Sequence, residues 1–159
     1  MKFNILEIQK NEGAVLNFDD VSIPLAAFER NGELFSFPVP VVLSGNFTNI
    51  GSGTVRLRAK GEYTLRLRCA RCLKEFDRKF PLRIEEMLKS EDAVHGMYDI
   101  SESVFDTVLL SMDLRYLCKP DCKGLCSKCG ADLNEEECGC ARVEIDPRLS
   151  ILNQLLEED

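Results

Sequence analysis

The sequence predicts an α+β protein whose core is an antiparallel β-meander, folded as a partly open barrel or a sandwich. A Cys-rich, zinc-knuckle-like segment and a terminal helix are expected to follow this core. Three observations lead to the prediction. Apolar and charged residues alternate along residues 55–69, which is the period of a half-buried strand. Six of the eight cysteines fall within residues 118–140, and residues 146–159 carry a Leu stripe with helical spacing.

Length and composition fit one globular domain, or one domain with a small appendage. The chain has 159 residues, of which 45% are hydrophobic and 30% charged, and its net charge is −7. No apolar run approaches the roughly 18 residues that cross a bilayer. The opening segment MKFNILEIQKNEG lacks the apolar stretch of a secretory signal and carries Glu7 and Glu12. We therefore expect a soluble, cytoplasmic protein that does not bind membranes.

The N-terminal region, residues 1–43, has the weakest patterns. Phe3 and Ile5 fit a short strand, and Asn31-Gly32 marks a turn. Long helices are disfavoured in this region by three prolines, Pro24, Pro38 and Pro40.

The central part of the meander is predicted to be a basic hairpin. Its strands are the two alternating runs 55–60 and 65–69, and Gly61, Glu62 and Tyr63 would form the loop between them. Like charges would then lie opposite each other across the strands, Arg58 with Arg66 and Arg56 with Arg68.

Further elements complete the prediction. Residues 47–51 and 75–87 are expected to add flanking strands, and residues 103–114 to form a helix. At the end of the chain, Asp146 can cap a helix and Pro147 suits its first position. We expect a mainly β domain over residues 1–115, with the Cys-rich segment and terminal helix, 116–159, packed on the same domain.

The late cysteines have the spacing of zinc ligands. Cys126 and Cys129 are separated by two residues and followed by Gly130, so both sulfurs can face one ion as in a zinc knuckle. Cys138 and Cys140 form a second pair with a glycine between them. These four thiolates predict one closed, structural zinc site. A His-rich catalytic metal site is nearly excluded, because the chain has a single histidine.

The other four cysteines leave several arrangements open. Cys118 and Cys122 can join the late site as shared or alternative ligands, or stay free. Cys69 and Cys72 form a C-x-x-C pair that is compatible with ordinary packing, metal binding or redox chemistry. A further arrangement places all eight thiols in two sites, one of them built from these four residues. The prediction is therefore one zinc ion per chain, or two.

A basic segment lies inside this acidic protein. Residues 56–83 contain ten Lys or Arg and three acidic residues, whereas the rest of the chain contains ten and 24. Clustered arginines suit bidentate contact with phosphate, and an anion would relieve the repulsion between like charges that face each other. The alternative is a solvated face balanced by the acidic remainder. The predicted RNA-binding residues are Arg56, Arg58, Lys60, Arg66, Arg68 and Arg71.

Motifs for catalysis are missing from the sequence. It contains no P-loop, dinucleotide fingerprint or nucleophile elbow, and its carboxylates have no catalytic spacing. We therefore predict that the protein is not an enzyme.

Three stretches of the chain form a recognisable combination: Cys69-Ala-Arg-Cys72-Leu73, CKPDCKGLCSKCGADLNEEECGC at residues 118–140, and IDPRLSILNQLL at residues 145–156. Together they resemble the YceD family of large ribosomal RNA subunit accumulation proteins. The resemblance implies a non-enzymatic role in the accumulation of large-subunit (23S) ribosomal RNA. It also implies ribosomal RNA, a large-subunit precursor or a large-subunit ribosomal protein as partner. Some relatives lack the late cysteines, which implies that any zinc there stabilises locally.

Two other functions compete with RNA binding. The cysteine pairs could bind zinc when reduced and form disulfides when oxidised, as in a redox-switched protein. Alternatively, the protein is an adaptor whose acidic surface binds a basic ribosomal protein while the hairpin stays solvated.

Overall fold

The computed structural model of the chain describes residues 1–89, 93 and 95–140. The predicted C-terminal helix, with Asp146, Pro147 and the Leu stripe, lies outside the described residues. Among the helices that are described, none is long and apolar enough to span a membrane.

The described chain is mostly antiparallel β-structure. One sheet has the strand order β2-β5-β6-β7, β1 pairs with β8, and β3 pairs with β4. The strand pairings confirm the predicted antiparallel meander, but not its closure into a barrel or a sandwich. In chain order the elements are β1 (Lys2–Asn4), α1 (Leu6–Gln9), β2 (Val15–Ile23), β3 (Phe28–Arg30), β4 (Glu33–Phe35), β5 (Val41–Gly51), β6 (Thr54–Arg68), β7 (Glu75–Lys89), β8 (Met97–Asp99) and α2 (Ile100–Ser111).

Several smaller predictions are confirmed. Asn31 and Gly32 have φ angles of 55° and 77° and connect β3 to β4, as in a two-residue hairpin turn. The predicted helix at 103–114 overlaps α2, which begins three residues earlier and ends three residues earlier than predicted. Asp99 caps α2, because its side chain accepts a hydrogen bond from the backbone N–H of Ser101 at 3.1 Å.

The predicted hairpin around Gly61 is wrong. Strand β6 runs without interruption from Thr54 to Arg68, and Gly61 lies within it opposite Leu43 of β5. A Cβ atom on Gly61 would lie 2.2 Å from the carbonyl oxygen of Val42. Glycine is therefore needed for the close approach of two strands, and not for a turn.

The inner face of the four-stranded sheet forms the core, and the outer face is polar. Phe47, Leu57 and Leu65 are fully buried on the inner face. Helix α2 belongs to the same buried cluster and so covers this face, through Ile100, Val104 and Val108. The period of two along β6 then directs its basic residues to the outer face, as the alternation predicted.

Candidate metal centres and the basic sheet face

Two groups of four cysteines lie at the end of the β6–β7 pair and in the segment after α2. The first cluster is Cys69, Cys72, Cys118 and Cys122, and the second cluster is Cys126, Cys129, Cys138 and Cys140. Within each cluster all four sulfur atoms lie within 4.8 Å of one another. The sequence left several arrangements open, and the structure has the one in which the eight thiols form two groups of four.

The sulfur–sulfur distances in the first cluster suit a tetrahedral ion. The Sγ atoms of Cys69 and Cys122 are 3.8 Å apart, and those of Cys72 and Cys118 are 3.7 Å apart. Zinc–sulfur bonds of about 2.3 Å in a tetrahedron place neighbouring sulfurs about 3.8 Å apart. A disulfide requires about 2.05 Å, and all eight cysteines are free thiols.

The two C-x-x-C turns have the same backbone geometry. In the second cluster, the N–H of Gly130 donates to the carbonyl of Cys126 at 2.9 Å, and the N–H of Cys126 donates to Ala131 at 2.8 Å. In the first cluster, Leu73 and Lys74 make the equivalent bonds with Cys69, at 3.0 and 2.9 Å. Both pairs therefore form the same turn, which has the geometry expected of a zinc knuckle, although only the second has the glycine that marks such a turn in the sequence.

Leu73 occupies the knuckle position where Gly130 stands in the second cluster. Its φ angle is +60°, compared with +77° at Gly130, and its side chain is 49% exposed. A left-handed conformation disfavours a residue with a Cβ atom, so Leu73→Gly should raise the free energy of unfolding by about 0.5–1 kcal/mol. The matched control Gly130→Ala should lower it by about as much, since the open space around Gly130 leaves backbone strain as the main effect. Urea unfolding measures both. A loss of stability in Leu73→Gly would contradict this account.

The segment after α2 is hydrogen-bonded to the β6–β7 turn. The N–H of Ala70 donates to the carbonyl of Tyr116 at 2.8 Å, and the N–H of Leu125 donates to the carbonyl of Arg71 at 3.1 Å. The Arg71 guanidinium donates to the carbonyl of Cys122 at 2.8 Å. Arg71 was predicted from the sequence to bind RNA. Its side chain instead holds the loop that carries Cys122 of the first cluster.

Asn134 links the second cluster to the first. Its amide group donates to the Sγ atom of Cys122 at 3.5 Å, and its Oδ1 atom accepts from the backbone N–H of Lys123 at 2.9 Å. The same loop is tied to the β6–β7 turn by Lys74, which pairs with Asp132 at 3.1 Å and also with Glu135. These carboxylates raise the pKa of Lys74, Glu135 more than Asp132. The loop of the second cluster therefore supports Cys122 of the first cluster.

In each cluster one thiol has a pKa below its ordinary value. Burial raises the pKa of Cys69, but backbone N–H groups of Cys72, Cys118 and Arg71 outweigh it and bring the pKa to about 6. Backbone N–H groups also lower the pKa of Cys126 to about 6.

A second thiol in each cluster, Cys118 in the first and Cys140 in the second, resists ionisation beside those charges. Burial and the neighbouring thiols raise the pKa of Cys118 to about 12, and the thiols of Cys129 and Cys126 together with burial do the same for Cys140. A divalent cation would remove this repulsion, because it favours every thiolate that it binds.

The outer face of the sheet carries charges of both signs in register. The predicted facing of Arg58 with Arg66 and of Arg56 with Arg68 is wrong, because these residues lie on one strand. Opposite Arg58, Arg66 and Arg68 lie Glu85, Asp77 and Glu75 of β7, and Arg56 lies opposite Met87. Arg58 pairs with Glu85 at 2.6 Å and Arg66 with Asp77 at 2.9 Å, while Arg68 donates to the carbonyl of Leu73 at 3.2 Å. Much of the predicted basic patch is therefore neutralised locally.

Two cations that form no ion pair in the described part of the chain face each other in the middle of this face. Lys60 of β6 lies opposite Arg83 of β7, and neither is in contact with a carboxylate there. Arg83 was not among the predicted RNA-binding residues, although its outward position follows from the alternation along β7. Both line a groove of about 840 Å³ whose other walls include Asn17, Asp19, Ser44, Asn46, Arg58 and Glu85.

Comparison with family profiles gives a match in the second half of the chain. The profile of the family described as large ribosomal RNA subunit accumulation protein YceD matches residues 92–156. This range includes α2, the second cluster, and Cys118 and Cys122 of the first cluster. No solved structure is significantly similar to the chain.

Curated relatives match over different spans. A chloroplastic protein of Arabidopsis thaliana, named large ribosomal RNA subunit accumulation protein YCED homolog 1, is 42% identical over 38% of this chain and 19% of its own length. An uncharacterised protein of Mycobacterium tuberculosis is 29% identical over 66% of this chain and 54% of its own length. An uncharacterised protein of Mycobacterium leprae is 24% identical over 99% of this chain and 78% of its own length. The alignments thus cover about a fifth of the plant protein and about half of the tuberculosis protein. Residues 92–156 of the chain thus match the YceD family, and the plant relative carries the same family name.

Proposed function

We propose that the protein is a non-enzymatic ribosome-biogenesis factor that supports accumulation of large-subunit ribosomal RNA. It does so by binding that RNA, or an assembly intermediate containing it, through the outer face of the four-stranded sheet. The family description supports the process. The observation that carries the binding site is the Lys60–Arg83 pair, two unpaired cations held opposite each other in a polar groove.

The groove has the chemistry of a site for the nucleic-acid backbone. Like charges directly opposite on neighbouring strands destabilise a sheet, and a phosphate between them would relieve the repulsion. Ser44 lies opposite Lys60 on its other side, and Asn17 and Asn46 add amide groups that can donate to phosphate or sugar oxygens. The site would therefore bind RNA mainly through its backbone, with a marked dependence on salt.

Zinc at the two cysteine clusters is proposed to be structural. Each cluster provides four thiolates, a donor set that closes the coordination sphere and leaves no position for substrate. The first cluster joins the end of β6 to residues 118–122 and so holds the sheet bearing the RNA site against the segment that follows α2. Free thiols suit the reducing cytoplasm, where we place the protein.

The test compares two double variants that remove the same charge from the same face. Lys60→Gln/Arg83→Gln removes the unpaired cations, whereas Arg66→Gln/Arg68→Gln removes cations that contact Asp77 and the carbonyl of Leu73. Binding of the full chain to transcribed large-subunit ribosomal RNA segments is measured by fluorescence anisotropy at several salt concentrations.

The first variant should bind at least about tenfold more weakly at low salt, and its salt slope should fall by about 1.5 to 2. The second variant should bind within about threefold of wild type. Equal losses in both would indicate long-range attraction without a site, and no loss in the first would refute the proposed interface.

A further inference from the structure

An exposed apolar groove lies between α2 and the β3–β4 hairpin. Leu110 at the end of α2 is 87% exposed, and Leu114 just beyond it is 90% exposed. The groove has a volume of about 480 Å³, and Phe28 and Phe105 form its floor with their rings in edge-to-face contact at 5.2 Å. Large side chains exposed side by side in this way are typical of a surface that binds another molecule.

The rim of this groove is acidic. Glu29 lines the groove, Asp106 lies one helical turn before Leu110, and Glu33 and Asp113 line an adjoining hollow that contains Leu114. In the described part of the chain none of these four carboxylates forms an ion pair.

The cations nearby offset little of this charge. The guanidinium of Arg30 donates to the carbonyl of Leu109 at 3.3 Å, so it is directed at the carbonyl end of α2. Arg115 is exposed next to Leu114. Glu33 also lines a hollow with Arg66 and Arg68, which contact Asp77 and the carbonyl of Leu73.

The groove lies on the side of the protein opposite the proposed RNA site. Helix α2 places Ile100, Val104 and Val108 in the core against the inner face of the sheet, and its exposed side therefore points away from that sheet. Lys60 and Arg83 lie on the outer face. An occupant of the groove would not compete with RNA for the same surface.

We propose that this groove binds a basic amphipathic segment of another protein, with apolar side chains in the groove and Lys or Arg at its acidic rim. Charge complementarity favours this occupant over two others. The chain's own residues 141–159 include an apolar stripe but carry five acidic and two basic residues, so the rim would repel them. A second copy of the chain has a net charge of −7 and is disfavoured for the same reason. The inference does not depend on RNA binding.

The test uses synthetic helix-forming peptides and the full chain. One peptide carries a Leu stripe and Lys on its other face, a second has Glu in place of Lys, and a third keeps Lys but has Ser in place of Leu. The Lys/Leu peptide should bind and should protect α2 and the β3–β4 hairpin from hydrogen exchange. The other two should bind at least about tenfold more weakly, because each lacks one of the two complementary features. Failure of the Lys/Leu peptide to bind, or protection elsewhere, would overturn the proposal.

A matched pair of variants separates docking from simple attraction. Leu110→Glu adds a negative charge but removes an apolar anchor, and Ile50→Glu makes the same change at a 41% exposed residue on β5. Docking in the groove predicts that Leu110→Glu weakens peptide binding about tenfold or more and that Ile50→Glu does not. Tighter binding by both would show that charge alone attracts the peptide and would refute the site. Equal melting temperatures verify that both variants fold.

The same variant tests the other occupants. If Leu110→Glu converts a dimer to a monomer in sedimentation, a second copy fills the groove and the proposal is wrong. If it increases hydrogen exchange within residues 141–159, the chain's own C-terminal segment fills the groove, which also refutes the proposal. An unchanged oligomeric state and unchanged exchange are expected.

Discussion

Replacing Cys122 with Ser should remove one of two zinc ions and lower the free energy of unfolding by at least about 3 kcal/mol. Cys122 is 1% exposed and its Sγ atom lies 3.8 Å from that of Cys69. A Ser hydroxyl is a poor ligand for zinc, and it would leave the three other thiols of the first cluster, two of them buried, around an incomplete site. The loop that holds Cys122 would also lose its anchor to the β6–β7 turn. The loss should therefore affect the fold as well as the metal content.

Cys129→Ser is the matched control. Cys129 belongs to the second cluster, is exposed, and closes a loop within residues 126–140. Its replacement should also remove one zinc ion, but should lower the free energy of unfolding by less than about 1.5 kcal/mol, because little of the core depends on that loop. Native mass spectrometry under reducing conditions with zinc analysis gives the stoichiometry, and urea unfolding gives the stability.

The wild-type protein should contain two zinc ions per chain and each variant one. A wild-type protein with no zinc and with oxidised thiols would refute both metal sites and favour the redox-switched alternative. If the wild-type protein contained one zinc ion and only Cys129→Ser removed it, the first cluster would be ordinary packing. That was one of the arrangements left open by the sequence.

The cysteine spacing predicted the second cluster fully and the first cluster only as one arrangement among several. Gly130 after Cys126 and Cys129 indicates their turn in the sequence. The other two cysteines of the cluster, Cys138 and Cys140, follow within the same short segment. In the first cluster, Cys72 and Cys118 are separated by 46 residues, and spacing over such a distance carries no information about which thiols meet. The turn at Cys69 and Cys72 also could not be recognised from the sequence, because Leu73 takes the place of the usual glycine and nothing in the sequence indicates its left-handed conformation.

The alternation along β6 predicted which residues face outward but not what they face. That error came from reading Gly61 as a turn, which folded one strand onto itself and opposed Arg58 with Arg66. With β6 continuous, the outward residues of β7 become its partners, and Glu85 and Asp77 neutralise two of the predicted RNA-binding arginines. The alternation in residues 75–85 contained this signal, since Glu75, Asp77, Arg83 and Glu85 all occupy odd-numbered, outward positions.

Gly61→Ala should lower the free energy of unfolding by about 2–3 kcal/mol. The added Cβ atom would lie 2.2 Å from the carbonyl oxygen of Val42 and 2.9 Å from the Cα and Cβ atoms of Leu43. Backbone atoms cannot rotate away as a flexible side chain can, so β5 and β6 must move apart in the middle of the largest sheet. The neighbouring outward replacement Lys60→Ala, on the same strand, should change stability by less than about 0.5 kcal/mol. Urea unfolding measures both.

Gly61→Asn distinguishes the two explanations for this glycine. In a turn with positive φ, Asn is the best replacement for glycine, and it would cost much less than Ala. Gly61 has no positive φ, and the obstacle is the backbone of β5, so the larger Asn side chain should be at least as destabilising as Ala. The same displacement should weaken RNA binding, because Ser44 and Asn46 of β5 line the groove beside Lys60. If Gly61→Asn were less destabilising than Gly61→Ala and left RNA binding intact, the predicted hairpin would be favoured again. The structural basis of the proposed groove would then be lost.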